Sequence, residues 1–307
     1  MRAIAYSRFG GPDVLELTEL PTPTVAPDAV LVRVRATSVN PVDWKVREGY
    51  LAPIMDSTFP IVPGWDVSGV VEKLGLDTPE FAVGDEVLGY VRKDVVHGGT
   101  TAELVAAPVR TLAHKPASLS WEEAAALPLA GLTAYQSLRR LDVKAGDTVL
   151  IHNAAGGVGG FAVQIAVAFG ARVIGTASPA RHDYVRSLGG EPVPYGEGMV
   201  AAVRELAPDG VDAVLDLVGG GVAATTPEVG TADVRLGSVA DGEVAKLGGT
   251  NFWVRPDAAD LAALVELVDQ GAVRVEIDRS FPLEETRAAH EYSASGHVQG
   301  KVVIRVS

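Results

Sequence analysis

The stretch that most constrains this chain is GDTVLIHNAAGGVGGFAVQIA, residues 146–166, where an apolar run passes through a glycine-rich turn into a second apolar run. It predicts a strand over 148–152 and a helix from about 159 to 169. A strand over 171–176, a helix from about 180 to 188 and a strand over 211–217 continue a βαβαβ series, which implies a parallel sheet with helices on both faces. In that context Ala154, Ala155, Gly156, Gly157, Val158 and Gly159 form a dinucleotide fingerprint. Gly156 lets the backbone approach a pyrophosphate, Gly159 lets the helix pack close to the sheet, and the helix N-terminus offers N–H groups to the anion. Ala154 stands where a first glycine is usual, so the fingerprint is a variant.

The end of the next strand decides which nucleotide fits. An acid about 20 residues beyond the fingerprint would bond the ribose hydroxyls of NAD. This chain has Gly175-Thr176-Ala177-Ser178 there, with Arg181 just beyond. A serine hydroxyl and a guanidinium suit a 2′-phosphate, and charge-assisted hydrogen bonds contribute about 1.5–3 kcal/mol each. NADPH is therefore expected over NADH.

Around this motif the chain, 307 residues and 47% hydrophobic, is long enough for two cores of ordinary size. Its net charge of -13 argues against nucleic acid or an anionic membrane as partner. With no cysteine there is no disulfide, thiolate nucleophile or sulfur-held metal. No secretory leader is apparent at the N-terminus, and His152, Gln164 and Arg172 interrupt the richest apolar region, so a cytoplasmic protein without membrane spans is expected.

The first hundred or so residues read as short strands punctuated by Pro and Gly, with alternation clearest over 29–37 and further strands over 67–74 and 86–91. Ser120 and Glu123 make a capping-box pattern ahead of an Ala- and Leu-rich helix interrupted at Pro128. Asp257 is placed to cap an apolar helix ending at Gly271, and a helix over 284–292 and a strand over 301–306 close the chain. Either sheet could accept that last strand. The fifth strand of the parallel sheet is expected over 234–239, in an otherwise weakly patterned stretch.

The fingerprint with its flanks, GDTVLIHN before and GARVIGTAS after, resembles the medium-chain dehydrogenase/reductase superfamily, and within it the zinc-independent quinone oxidoreductase branch that includes zeta-crystallin. The likeness extends to ATSVNPVDWKVREG, PGWDVSGVVE, ALPLAGLTAYQSL, GVDAVLDLVGG and HVQGKVVIRV, in the family's order. It implies an α/β architecture: a GroES-like β domain over 1–121, completed by 256–307, and a doubly wound Rossmann domain over 122–255. It also implies an active site in the cleft between them and a homodimer. Zinc-dependent members carry two Cys and a His where this chain has Asn40, the region of Leu129 and Ala130, and Trp65. Without those ligands the expected acceptor is a small hydrophobic quinone or enone, whose conjugation spreads the charge that follows hydride addition.

The resemblance places Asn40 and Asp43 beside the nicotinamide, with Asn40 as donor to a substrate oxygen. Tyr50 and Lys45 are nearby groups able to supply a proton, and water is a third source. Thr133, Phe252 and Val254 match positions at the nicotinamide end, and Tyr195 matches an aromatic residue flanking the adenine. Trp65 and Trp253 are candidate apolar walls. An enoyl or alkenal reductase is the nearest alternative activity, and a non-catalytic NADPH-binding protein is the alternative from another class.

Overall fold

The computed structural model describes residues 1–306. The chain divides into two compact units: Met1–Leu129 with Pro256–Asp269 and the chain from Val275 on, and Ala130–Arg255 with Gln270–Arg274.

The first unit is built on the strand Ala29–Val39, the longest of the described residues. One edge of it pairs antiparallel with Asp66–Leu74. Along its other edge, Leu104–Pro108 pairs with the first half and Lys301–Arg305 with the second, Val302 opposite Val39 and Arg305 opposite Ala36. The closing strand thus belongs to this sheet, where Val302, Val303 and Ile304 are buried. The alternation of Ala29–Val39 proves only partial: Arg33 is exposed, yet both flanking faces are largely buried because other elements cover them. Ala36, for example, packs with Ala125, Ala126 and Val303.

Those alanines explain why the first unit runs on to Leu129 rather than ending at 121. The helix Trp121–Ala126 starts at the expected capping box, with the Glu123 N–H donating to Ser120 Oγ at 3.2 Å and the Ser120 N–H to the Glu123 carboxylate at 2.8 Å. Its small side chains let it lie close against the sheet of the first unit. The helix Ala258–Asp269 is capped as expected by Asp257, whose carboxylate accepts the Asp260 N–H at 2.9 Å.

The second unit is a six-stranded, all-parallel sheet. From one edge to the other its strands are Glu191–Val193, Arg172–Thr176, Thr148–Ile151, Val211–Asp216, Gly230–Ser238 and Thr250–Asn251. In chain order this is 3-2-1-4-5-6, the doubly wound arrangement, which reverses direction between Thr148–Ile151 and Val211–Asp216. Ligands of such sheets bind at the carboxyl ends of the strands beside that reversal. The fifth strand starts earlier than expected: Gly230 already pairs with Val211, and an irregularity follows before Arg235 meets Ala213. Its first residues carried no apolar signal because they are partly or fully exposed.

Candidate nucleotide and buried acid sites

At the reversal point the strand Thr148–Ile151 gives way to the fingerprint loop, and the helix Gly157–Ala168 begins with Gly156 as its N-cap. No side chain caps it, so its first-turn N–H groups are left for another acceptor. The loop turns at Asn153, which adopts a left-handed φ of 59°, a conformation asparagine tolerates better than most residues. The Asn153 N–H donates to Thr176 Oγ1 at 3.0 Å and the Ala154 N–H to the Thr176 carbonyl at 2.9 Å, which ties the loop to the neighbouring strand. A Cβ on Gly159 would lie 2.0 Å from the Asn153 carbonyl oxygen, and one on Gly156 would lie 2.7 Å from the Asn153 carboxamide. Gly159 is thus required where the helix packs against the loop, while Gly156 keeps open a cradle that a side chain would fill. Ala154 and Ala155 are buried beneath it. These features fit a dinucleotide pyrophosphate.

Beyond the strand Arg172–Thr176, the Ser178 carbonyl accepts the Arg181 N–H at 2.8 Å in a tight turn started by Pro179. The nearest acid in sequence, Asp183, is held by Arg186 at 2.7 Å. The Ala177 N–H donates to the Val193 carbonyl at 3.0 Å, so the Ser178 turn and the segment carrying Tyr195 leave adjacent strands at the same end of the sheet. Tyr195 is 66% exposed. Phe252 differs from a cofactor contact made by a free backbone: its N–H donates to the Ser238 carbonyl at 2.7 Å and its ring is buried against Gly237. Val254 follows it, half-buried, and Thr133 is buried in the helix Pro128–Arg140.

Two buried polar residues, Asp216 and His152, lie at this end of the sheet. The buried Asp216 carboxylate accepts the Val218 and Gly219 N–H groups at 2.8 and 2.9 Å and the Ser238 hydroxyl at 2.8 Å. It shapes the turn after the fourth strand. His152, also buried, has no hydrogen-bond partner for Nε2, and burial depresses its pKa, so it is a neutral ring.

In the first unit, Asn40 and Asp43 belong to a buried network. Asn40 precedes the short helix Pro41–Arg47, and its N–H donates to the Asp43 carboxylate at 2.7 Å. Its side-chain Nδ2 donates to Asp66 Oδ2 at 2.8 Å and to Ser38 Oγ at 3.3 Å, and its Oδ1 accepts from Lys301 Nζ. Asp66 also accepts from the Ser38 hydroxyl at 2.6 Å and from the Leu129 N–H at 2.7 Å. Three donors on one carboxylate suit the ionised form. Burial pushes Asp66 up and Lys301 down in pKa, and their mutual attraction offsets part of both shifts. Asp43 is pushed up to about 7, first by burial.

This network corrects the expectation that Asn40 donates to a substrate oxygen. Both its N–H bonds are directed to protein oxygens and the residue is 2% exposed, so its amide orients neighbours instead. Trp65 is likewise buried, against Tyr90, and is a core residue rather than a substrate wall; Trp253 is 41% exposed. Tyr50 is 68% exposed on the turn after the Pro41–Arg47 helix, and Lys45 lies over the Trp44 ring. The carboxamide of Asn40, the Trp65 indole and the apolar Leu129 and Ala130 are a donor set that does not fit zinc. No group of three His, Cys, Asp or Glu among the described residues could hold a metal ion.

Residues 26–117 match the family model of the alcohol dehydrogenase GroES-like domain, and residues 189–304 that of the zinc-binding dehydrogenase. The chain is 35% identical to the NADPH-dependent alkenal/one oxidoreductase of Arabidopsis thaliana, over 99% of this chain and 79% of that protein. It is 32% identical to the chloroplast envelope quinone oxidoreductase homolog of the same plant, over 99% of this chain and 98% of the relative. Among solved structures, the quinone oxidoreductase from Coxiella burnetii superposes with a TM-score of 0.89 at 36% identity, covering 100% of this chain and 99% of that one. With the strand order, the fingerprint and these matches agreeing along the whole length, the chain belongs to the medium-chain dehydrogenase/reductase superfamily, in its quinone oxidoreductase branch.

Proposed function

We propose that this protein carries hydride from NADPH to a quinone or another conjugated carbonyl acceptor without a metal. The observation that carries the reading is the uncapped, glycine-lined cradle whose neighbouring strand ends in Ser178 and Arg181 instead of an acid. The first-turn N–H groups and the loop from Ala154 to Gly159 hold the pyrophosphate. Ser178 and Arg181 hold the 2′-phosphate, and Tyr195 covers the adenine. Thr133 and the backbone at Val254 serve the nicotinamide end, and Phe252, its N–H held by the Ser238 carbonyl, positions that segment. NADPH, when bound, supplies the hydride.

The donor set at Asn40, Trp65 and Leu129 supports metal-free reduction, since a carboxamide, an indole and an aliphatic side chain are poor ligands for the Lewis acid that would stabilise an alkoxide. A conjugated acceptor needs none, because its charge is delocalised and hydrogen bonds or water can complete it. Asn40 and Asp43 serve as positioning residues, and the exposed Tyr50 hydroxyl is the proton donor. An enone must be protonated on carbon, whereas a hydroquinone anion picks up its proton from water. Tyr50→Phe is accordingly expected to slow enone turnover by about 10² while slowing quinones less.

The decisive measurement is NADPH oxidation over a quinone panel and an enone panel, with metal analysis of the same sample. Oxidation that survives a chelator, with no stoichiometric zinc, is expected. Stoichiometric zinc with chelator-sensitive turnover overturns the metal-free reading, and tight NADPH binding without turnover on either panel would make this a nucleotide-binding protein only. The 35% identity to an alkenal/one oxidoreductase favours enones as the second acceptor class, and the two panels separate them. Our reading includes a cytoplasmic homodimer joined along the edge strand Thr250–Asn251, which pairing would protect. Sedimentation and fractionation test those two points. No helix among the described residues is long and apolar enough to cross a membrane.

A further inference from the structure

A cavity of 520 Å³ lies wholly within the first unit, and none of the residues of the Asn40 network lines it. Leu20, Pro23, Pro60, Val62 and Leu104 contribute apolar walls, and Lys93 is a cation among them. The volume falls in the range of about 300–1,000 Å³ usual for small-molecule sites. Two prolines in the segment Leu20 to Thr24 restrict the backbone there, so that wall is largely preformed.

Lys93 is the informative residue. Its ammonium donates to the Gly98 carbonyl at 2.9 Å, and no carboxylate is paired with it. Burial alone depresses its pKa, without an opposing attraction from any acid. Ammonium groups can make three hydrogen bonds, and this part-buried one makes a single bond to protein. A carbonyl meets only part of that need.

We propose that this cavity binds a medium-chain aliphatic carboxylate, its head on Lys93 and its tail against the proline and leucine walls. The lining holds two ammonium groups, that of Lys93 and that of Met1, which donates to the Leu20 carbonyl at 2.8 Å, and a carboxylate monoanion has lone pairs enough for both. Predominantly apolar walls select a hydrocarbon tail over a sugar or a peptide backbone.

The test uses the full-length protein saturated with NADPH, titrated calorimetrically with butyrate, hexanoate, octanoate and the neutral octanamide below their micellar concentrations. Affinity is expected to tighten about fourfold per methylene. Octanamide is expected to bind at least about tenfold more weakly than octanoate. Lys93→Met should erase that tenfold difference, Lys93→Arg should preserve it, and Lys93→Met should leave NADPH oxidation unchanged. Equal binding of octanoate and octanamide to the native protein, or native octanoate affinity in Lys93→Met, overturns the proposal. Competition between octanoate and the quinone or enone acceptor also overturns it, because the acid would then be occupying the reaction site.

Discussion

A methyl group on Gly159 tests the nucleotide cradle directly. In Gly159→Ala the new Cβ lands 2.0 Å from the Asn153 carbonyl oxygen and 2.8 Å from Ala154 Cα. Carbon and oxygen come no closer than about 3.3 Å even in favourable contacts, so helix and loop must separate by about 1 Å. Charge-assisted hydrogen bonds operate over only about 2.7–2.9 Å, and an ångström of retreat takes the first-turn N–H groups out of that range. Losing one such bond costs about 1.5–3 kcal/mol, or about 10- to 100-fold in NADPH affinity. Overpacking adds a loss of about 1–3 kcal/mol in stability. Gly156→Ala is the contrast: its Cβ meets the Asn153 side chain, which can rotate away, so stability should hold while the anion site is obstructed. Fluorescence titration with NADPH and thermal unfolding measure the two effects on both variants. If Gly159→Ala binds NADPH within twofold of the native protein and melts at the same temperature, helix and loop are not in the tight contact on which the cradle depends.

Arg181→Ala should lower the preference for NADPH over NADH by about 10- to 100-fold, read as kcat/KM for each cofactor; an unchanged ratio would assign the 2′-phosphate elsewhere. Lys301→Met removes the cation beside two buried carboxylates and the donor to Asn40, and should cost about 3–5 kcal/mol in urea unfolding. Adding Asp43→Asn to that variant should recover part of the loss, and a double mutant no more stable than Lys301→Met would show that the charge is not the cause. The pH dependence has a definite sign. The Asp43 carboxyl titrates near 7 in the folded protein against 3.8 for the ordinary group, so the fold binds its proton more tightly. Its contribution is most favourable below about pH 4 and declines by about 4 kcal/mol as pH rises to 7. Asp43→Asn should therefore gain stability relative to the native protein across that interval, measured by urea midpoints from pH 4.5 to 7.5; a constant difference would place Asp43 in contact with solvent.

The second unit was the more legible because its signals are local. Apolar runs of strand length, a glycine turn and the missing acid before Arg181 each lie within a few residues of the feature they specify. The fifth strand was less legible because Gly230–Ser238 begins with residues that leave little apolar imprint. The first unit depends on contacts between residues far apart. Asn40, Asp66 and Lys301 meet only because Lys301–Arg305 pairs with Ala29–Val39 and that strand with Asp66–Leu74. A hint existed in each case, since Asp66 and Lys301 open strongly apolar strands where a charge is expensive, but neither names its partner. The motif that carries Asn40 marked the position. It could not say whether the amide faced a ligand or the protein.

The hydrogen bonds on Asp66 show what that position does. One carboxylate oxygen accepts the Leu129 N–H in the first turn of the helix Pro128–Arg140, where a negative charge also meets the positive end of the helix dipole. The other accepts from Asn40 and Ser38, and Asn40 in turn accepts from Lys301. Neutralising Asp66 would weaken these bonds together, and removing it would leave the Asn40 amide and the Leu129 N–H buried with fewer acceptors. The start of a helix is thus coupled to the loop at Asn40 and to the last strand through one acid. Asn40 suits this arrangement because an amide can donate to Asp66 and accept from Lys301 at once, whereas Asp at that position would add a third buried carboxylate and lose the donor. The residue most readily taken for a substrate contact is better understood as the neutral link between a buried acid and a buried base.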